Sequence, residues 1–179
     1  GSEMCIRDRP KEERDMLWDL LLEYLRRELA ALQENNIRFQ VIGRIHQLPE
    51  AVQREVRDAV ERTAPNTGML LTVALNYSAR AELVDAFNAL LDRARADGPN
   101  GWRVDEQMIA EQLYTRDLPD PDLLIRTSGE LRVSNFLLWQ IAYAEIWVCD
   151  TLWPDFTRKH LLRAVIDYQK RERRYGGLP

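Results

Sequence analysis

The sequence predicts an α/β fold in which a parallel sheet is flanked by helices on both faces. Short apolar segments, which are typical of strands, alternate along the chain with longer segments of helical periodicity. This alternation favours right-handed crossover connections and therefore parallel strands. With 179 residues, of which 45% are hydrophobic, the chain is long enough for one domain with a substantial core.

The composition argues against several classes of protein. The 25 basic residues are outnumbered by 29 acidic ones, so the chain lacks the basic excess of a nucleic-acid-binding protein. Cys5 and Cys149 are too few and too far apart in sequence to indicate a disulfide framework or a zinc site. No apolar run approaches the roughly 20 residues that span a bilayer, and no signal-peptide pattern occurs. We therefore expect a cytoplasmic protein.

About four strands are predicted. Residues 37–42 alternate between polar and apolar side chains, as a half-buried strand does. Residues 69–75 form a nearly continuous apolar run, which is typical of a strand covered on both faces. Two further short segments have strand character, at residues 123–125 and 145–149.

Helical periodicity marks six segments. They are Lys11–Glu34, the segment that Pro49 begins, and residues 81–96, 104–114, 135–143 and 157–173. The first helix has one apolar face, formed by Leu17, Leu20, Leu21, Tyr24, Leu25, Leu29 and Leu32. The third is predicted to face the core with Leu83, Val84, Phe87, Leu90 and Leu91.

A candidate anion site follows the third predicted strand. Arg126 stands at the carboxyl end of this strand, where open α/β sheets place their ligands. A glycine-containing loop then brings Arg132 and Ser134, and Ser134 is a suitable N-cap for the predicted helix at 135–143. Two guanidinium groups, a hydroxyl group and a helix N-terminus would together suit a phosphate or a diphosphate. We call Arg126, Arg132 and Ser134 the anion cradle.

A simpler explanation of the same spacing stays open. Arginines that follow strands often pair only with surface carboxylates, and a Ser-Asn helix start is common. The loop contains neither a Walker A motif nor the glycine spacing of a dinucleotide fingerprint.

Longer motifs resemble the cis-prenyltransferase family, in particular bacterial undecaprenyl diphosphate synthases. The resemblance extends from about residue 9 to residue 177, and five segments carry it: residues 121–130 (PDLLIRTSGE), 134–140 (SNFLLWQ), 142–145 (AYAE), 152–156 (LWPDF) and 171–177 (RERRYGG). It implies the elongation of an allylic diphosphate, such as farnesyl diphosphate, by isopentenyl diphosphate units with cis double bonds. The product implied is undecaprenyl diphosphate, a lipid carrier of cell-wall synthesis.

The resemblance also implies roles for individual residues. Arg126, Arg132 and Ser134 match the residues that hold the diphosphate of isopentenyl diphosphate. Glu145 matches a glutamate that helps to bind Mg²⁺, an ion that prefers carboxylate and phosphate oxygens. Without the resemblance, a single glutamate at the start of a strand is more simply a solvated residue.

Three further residues match substrate positions of the family. Arg174 and Gly176 match a motif that reaches the substrate site of the neighbouring subunit, which implies a homodimer; alternatively, they belong to a basic helix end. Met69 matches a position that helps to close the product tunnel, and alternatively it is a buried strand residue. The lipid product implies peripheral contact with a membrane.

One motif of the family has no counterpart in the chain. The family begins with a strand that ends in Met-Asp-Gly-Asn-Gly-Arg-Trp, and its aspartate is the main Mg²⁺ ligand. We therefore expect residues 1–9 to be foreign to the fold, and residues 10–179 to form a cis-prenyltransferase domain without its first strand, helix and strand. No catalytic residue is then retained, and we expect impaired activity. The alternatives are a non-catalytic partner subunit of a prenyltransferase dimer and a free-standing phosphate-binding module.

Overall fold

The computed structural model describes residues 10–98 and 102–171, and within these residues the chain folds into five α-helices and four β-strands, which form two separate parallel pairs. The helices are α1 (Lys11–Glu34), α2 (Glu50–Thr63), α3 (Ala79–Asp97), α4 (Glu106–Ala110) and α5 (Arg158–Gln169). The strands are β1 (Arg38–Ile42), β2 (Leu70–Ala74), β3 (Leu123–Arg126) and β4 (Glu145–Val148). The predicted α/β class and the four strands are therefore confirmed, with parallel pairing within each two-stranded sheet.

The chain divides into two compact units, Gly1–Asp117 and Leu118–Pro179. In the first unit, β1 pairs with β2 in parallel, from Arg38 opposite Leu70 to Ile42 opposite Ala74. In the second unit, β3 pairs with β4, from Leu123 opposite Glu145 to Arg126 opposite Val148.

The core of the first unit lies where α1 and α2 pack against β1. It consists of Leu25, Leu29, Phe39, Leu48, Val52, Val56, Ala59 and Leu75. One polar side chain is buried beside it: the hydroxyl group of Thr63 accepts a hydrogen bond from the backbone N–H of Phe39 (3.0 Å) and donates one to the carbonyl group of Ala59 (2.8 Å). The bond from Phe39 fastens the end of α2 to the start of β1.

A glycine lies where the chain leaves β1. Gly43 has a φ of +118°, and a Cβ atom at this position would lie 2.1 Å from the carbonyl oxygen of Leu75. Glycine is therefore required on both conformational and steric grounds. The close approach lets the chain run from β1 alongside the end of β2, where the N–H of Arg44 donates to the carbonyl group of Asn76 (3.3 Å).

We expect the substitution Gly43→Ala to destabilise the protein by about 2 kcal/mol, because the new methyl group meets backbone that cannot rotate away. Equilibrium urea unfolding would measure this loss. Gly98 also has a positive φ (+89°), but no atom of the described residues lies within 4 Å of a Cβ atom there, so Gly98→Ala tests the conformational cost. Equal losses in the two variants would contradict the steric argument.

The helix α3 begins at Ala79, two residues earlier than predicted, because the hydroxyl group of Ser78 accepts a hydrogen bond from the N–H of Ala81 (3.3 Å). Its predicted core face is only partly correct. Leu90 is buried, whereas Val84, Phe87 and Leu91 are exposed. The buried face instead contains Ala79, Glu82 and Ala86 as well as Leu90. The small alanines allow a closer approach of neighbouring backbone than the larger apolar residues would.

Two predicted helices differ from the structure. The segment 104–114 contains only the five-residue helix α4, followed by turns. The segment 135–143 forms turns and bends rather than a helix. Ser134, Asn135 and Leu137 have φ values of +54°, +58° and +46°, and such left-handed residues interrupt a right-handed helix.

The strand β2 is less enclosed than its apolar sequence predicts. Leu71 is 38% exposed, and the other residues of the strand are half-buried. Among the residues that the structure describes, none of the helices has the length and apolar character needed to traverse a bilayer.

Candidate functional site

Arg126 and Ser134 of the anion cradle are in direct contact. Arg126 is the last residue of β3, and its Nη2 atom donates a hydrogen bond to the hydroxyl oxygen of Ser134 (3.3 Å). The backbone carbonyl group of Arg126 accepts from the N–H of Cys149, which keeps the strand end in register with the segment after β4. Arg126 and Ser134, eight positions apart in sequence, therefore lie together at this strand end, while their role in binding an anion stays a prediction.

The loop between these two residues is fastened to the chain that follows β4. The N–H groups of Ser128 and Gly129 donate to the carbonyl groups of Thr151 and Cys149, both at 2.9 Å. Ser128 and Gly129 have φ values of +64° and +66°, so the chain reverses sharply directly after β3. Two backbone hydrogen bonds thus fix the tight turn that brings Ser134 back towards Arg126.

Arg132 pairs with a carboxylate of the same loop. Its Nη1 atom lies 2.5 Å from Oε2 of Glu130, and the two side chains are 58% and 32% exposed. The simpler explanation that the sequence left open, an arginine paired with a surface carboxylate, therefore holds for this contact. A pair this exposed contributes little to stability, so another anion can replace the Glu130 carboxylate at Arg132.

The predicted helix N-terminus is absent from the cradle. Ser134 lies in a turn with a left-handed backbone, so it caps no helix, and the expectation of a helix dipole at this point was wrong. The positive charge of the cradle therefore comes from its guanidinium groups. The turn segment itself is held by a hydrogen bond from the N–H of Ile141 to the carbonyl group of Leu137 (3.0 Å).

Glu145, the predicted Mg²⁺ ligand, is the first residue of β4 and binds Arg171. The Nη1 atom of Arg171 donates to Oε2 of Glu145, and its Nη2 atom donates to the carbonyl group of Ile146 (3.0 Å). The Glu145 side chain is 32% exposed, so a cation can approach it from solvent. The part of the chain that the structure describes contains no group of three or more acidic, histidine or cysteine side chains that could hold a metal ion.

The strand register separates Glu145 from Arg126. Glu145 lies opposite Leu123, and Arg126 lies opposite Val148, so the two residues are at opposite ends of the β3–β4 pair. Three residues correspond to about 10 Å along the strands. Side chains also alternate between the faces of a sheet, which puts Glu145 and Arg126 on opposite faces. One ion therefore cannot contact both Glu145 and a diphosphate bound at Arg126 of the same chain.

The relationship to known proteins agrees with this local geometry. A family model of undecaprenyl diphosphate synthases matches residues 7–176, which is nearly the whole chain. The chain belongs to the undecaprenyl diphosphate synthase family of prenyltransferases.

Individual relatives support this membership. The chain is 52% identical to an isoprenyl transferase of Heliobacterium mobile and 46% identical to one of Clostridium tetani, each over 170 residues. These matches cover 95% of the chain but 65% and 67% of the relatives, so the chain spans about two thirds of their length.

Solved structures of the family share the fold. Lavandulyl diphosphate synthase from Lavandula x intermedia, in complex with dimethylallyl diphosphate, matches with a TM-score of 0.90 at 31% identity over 96% of this chain and 75% of that one. A probable undecaprenyl diphosphate synthase from Campylobacter jejuni matches with a TM-score of 0.81 at 31% identity, over 94% of this chain and 77% of that one. The predicted cis-prenyltransferase fold is confirmed.

The family resemblance also implied roles for Met69, Arg174 and Gly176, of which the structure describes only Met69. Met69 precedes β2 and is 61% exposed, so the alternative of a buried strand residue was wrong, while its role in a tunnel stays a prediction. Arg174 and Gly176 lie outside the described residues, as does the segment 1–9. Two surface depressions of about 470 and 200 Å³ lie in the first unit, and no predicted site residue lines them.

Sequence reasoning missed a charged cluster of the first unit. Arg44 forms a two-pronged ion pair with Asp85, with Nε–Oδ2 and Nη2–Oδ1 distances of 2.9 and 2.7 Å. The hydroxyl group of Tyr114 donates to the same carboxylate. No local pattern could have revealed this cluster, because its members are 41 and 29 positions apart in sequence.

The cluster shifts the ionisation of its members. Hydrogen bonds from Arg44 lower the pKa of Asp85 from its usual value, since they favour the charged carboxylate. Burial, followed by the hydrogen bond to Asp85, raises the pKa of Tyr114 to about 12. Asp85 is therefore charged and Tyr114 neutral at physiological pH. The cluster adjoins Asn76, whose side-chain amide donates to the carbonyl group of Arg44 (3.2 Å) at the carboxyl ends of β1 and β2.

Proposed function

We propose that this protein is an isoprenyl transferase that joins isopentenyl diphosphate to an allylic diphosphate, such as farnesyl diphosphate, with formation of cis double bonds. The observation that supports this most directly is the contact between Arg126 and Ser134 at the carboxyl end of β3, in a chain that belongs to the family. This is the edge at which parallel sheets bind ligands, and a guanidinium group beside a hydroxyl group suits a diphosphate.

Within this proposal the anion cradle holds the diphosphate of isopentenyl diphosphate. Arg126 contributes a half-buried guanidinium group, and Ser134 contributes a hydroxyl group that can donate to a phosphate oxygen. Arg132 would exchange Glu130 for the diphosphate, which carries more negative charge than a carboxylate. Holding the diphosphate orients the double bond of isopentenyl diphosphate, whose attack on the allylic carbon displaces the allylic diphosphate. Loss of a proton from C2 of the isopentenyl unit then forms the new double bond.

We include Mg²⁺ in the proposal, with Glu145 as one ligand. Glu145 fits as a donor because it is a partly exposed carboxylate that already attracts a cationic group. When bound, Mg²⁺ would offset the charge of a diphosphate. Since Glu145 and Arg126 lie on opposite faces and at opposite ends of the strand pair, a metal at Glu145 is separate from the cradle of the same chain.

The proposal extends to a homodimer that acts in the cytoplasm and forms a lipid carrier such as undecaprenyl diphosphate, with peripheral membrane contact through that product. An exposed apolar stripe on α5 supports the dimer: Leu161, Leu162, Val165 and Ile166 are each between 37% and 49% exposed. Exposed apolar residues grouped on one helix face mark a surface for protein contact.

Binding and elongation assays with the purified 179-residue chain test the proposal. We expect calorimetry to detect binding of isopentenyl diphosphate and of pyrophosphate but not of isopentenol, because the anion cradle recognises the diphosphate group. The sequence contains no counterpart of the family's aspartate motif, so we expect only slow incorporation of labelled isopentenyl diphosphate with farnesyl diphosphate and Mg²⁺. Absence of binding and of incorporation would refute the proposal. If the chain instead only raised the activity of a full-length relative, it would be a partner subunit.

A further inference from the structure

Left-handed backbone conformations are concentrated around the anion cradle. Six non-glycine residues of the described ranges have a positive φ, and four of them lie between positions 128 and 137: Ser128, Ser134, Asn135 and Leu137. Asparagine tolerates this conformation, but leucine rarely adopts it. Such conformations persist where the surrounding structure enforces them, and they cluster at ligand clamps and active sites. Their concentration here points to a function of the backbone itself.

The handedness of the backbone alternates directly after Ser134. Asn135 and Leu137 have φ values of +58° and +46°, whereas Phe136 between them has a negative φ. Residues of alternating handedness turn their successive N–H groups towards one point, and the resulting concave anion site is called a nest. In this chain the nest consists of the N–H groups of residues 136–138.

The nest has donors that a ligand can reach. Within the part of the chain that the structure describes, the N–H groups of Leu137 and Leu138 donate to no carbonyl group. The segment is nevertheless fixed, because the carbonyl group of Leu137 accepts a hydrogen bond from the N–H of Ile141 (3.0 Å). The side chains of Phe136 and Leu138 are exposed, so a ligand can approach the segment from solvent.

We propose that the nest is part of the anion cradle, and that its N–H groups contact one phosphate group of a diphosphate while Arg126 and Ser134 contact the other. Ser134 connects the two parts, because its hydroxyl oxygen accepts from Nη2 of Arg126 and the nest begins two residues later. Hydrogen bonds from backbone N–H groups to an anion are among the strong ones in proteins.

This inference rests on the proposed function, which it deepens by naming backbone donors for the same diphosphate. The sequence predicted that a helix N-terminus would present N–H groups to the anion, and the nest presents them from a turn instead. A single phosphate group contacts only one part of the site at a time. The site therefore prefers a diphosphate to a monophosphate.

Nuclear magnetic resonance of the isotope-labelled 179-residue chain, titrated with pyrophosphate, tests the inference without any turnover. We expect the amide protons of residues 136–138 to shift downfield, because an N–H group that donates to an anion is deshielded. The amide proton of Leu152, an exposed leucine outside the cradle, should keep its position. Inorganic phosphate should cause smaller shifts than pyrophosphate at the same concentration.

An ester in place of the peptide bond before Leu137 removes the N–H group of this residue and retains its side chain. We expect this ester to weaken pyrophosphate binding about tenfold in calorimetry, the effect of one hydrogen bond to a charged group. The same ester before Leu152 is the matched control, because it alters an exposed leucine of the same unit. Circular dichroism would confirm that both chains are folded.

The outcomes separate this inference from the proposed function. Equal affinities of the two ester-containing chains, or amide protons of residues 136–138 that stay in place while pyrophosphate binds, would overturn the nest. If Arg126→Ala then still weakened binding, the proposed role of the guanidinium group would stand without the nest. Absence of any pyrophosphate binding would overturn the nest and the anion cradle together.

Discussion

Replacing Arg126 by alanine is expected to weaken the binding of isopentenyl diphosphate by about 100-fold, because a hydrogen-bonded contact between two charged groups contributes about 1.5–3 kcal/mol. Arg126 is half-buried at the end of β3, and its Nη2 atom already lies against Ser134, so its guanidinium group is held in place before the ligand arrives. Isothermal titration calorimetry with isopentenyl diphosphate would measure the loss.

The substitution Arg126→Lys separates the contribution of the positive charge to binding from that of the planar guanidinium shape. Arg126→Lys keeps the positive charge but loses the planar fork that can contact two oxygens, so we expect about a 10-fold weaker affinity. Ser134→Ala removes one neutral hydrogen-bond partner and should lower the affinity for isopentenyl diphosphate about fivefold. We therefore expect the lowest affinity in Arg126→Ala, a higher one in Arg126→Lys and the highest of the three in Ser134→Ala. This order is specific to a site in which the guanidinium group binds the anion and the hydroxyl group supports it.

The matched control for Arg126 is Arg163→Ala. Both changes remove one positive charge from the same unit of the chain, but Arg163 is exposed on α5. If the two variants bound isopentenyl diphosphate equally well, and both were folded by circular dichroism, the anion cradle would have to be abandoned.

Regular elements of this chain could be predicted because their signals are local. The helix α1 has the predicted bounds, since its apolar periodicity continues without interruption up to Asn35, which ends it. The four strands were predicted for a similar reason. Short runs of apolar and β-branched residues between turn-forming residues are sufficient to indicate a strand.

The segment after Ser134 shows where local signals fail. A serine followed by apolar residues resembles a helix start, yet Ser134, Asn135 and Leu137 adopt left-handed backbone conformations. Serine and asparagine favour turns as well as helix caps, because their side chains bond to nearby backbone. The sequence therefore allows both structures, and the surroundings decide between them.

The burial of a side chain and the identity of its partner also depend on residues that are distant in the sequence. Helix α3 has apolar residues on more than one face, and sequence alone did not show that Val84 and Phe87 would be exposed while Glu82 is buried. Some charged residues have partners far away in the chain, as Glu145 has in Arg171. Arg126 and Ser134 could be predicted as neighbours because a tight loop joins them, whereas the role of Glu145 depends on a residue from another element.

Glu82 provides the second large expected effect. It is 1% exposed on α3, and its two carboxyl oxygens accept hydrogen bonds from the hydroxyl group of Tyr77 (2.5 Å) and the backbone N–H of Tyr114 (2.8 Å). Tyr114 also donates its hydroxyl group to Asp85, one turn further along α3. This buried carboxyl group therefore fastens the chain after α4 to the helix α3.

We expect Glu82→Ala to lower the free energy of unfolding by about 3 kcal/mol, because it leaves two partly buried donors without this acceptor and creates a cavity. Glu82→Gln retains one oxygen acceptor and should lose only about 1 kcal/mol. Urea unfolding would measure both losses, with Glu61→Ala as the control, since Glu61 is an exposed glutamate of helix α2. A loss in Glu82→Ala no larger than in Glu61→Ala would show that the buried hydrogen bonds do not hold α3 and Tyr114 together.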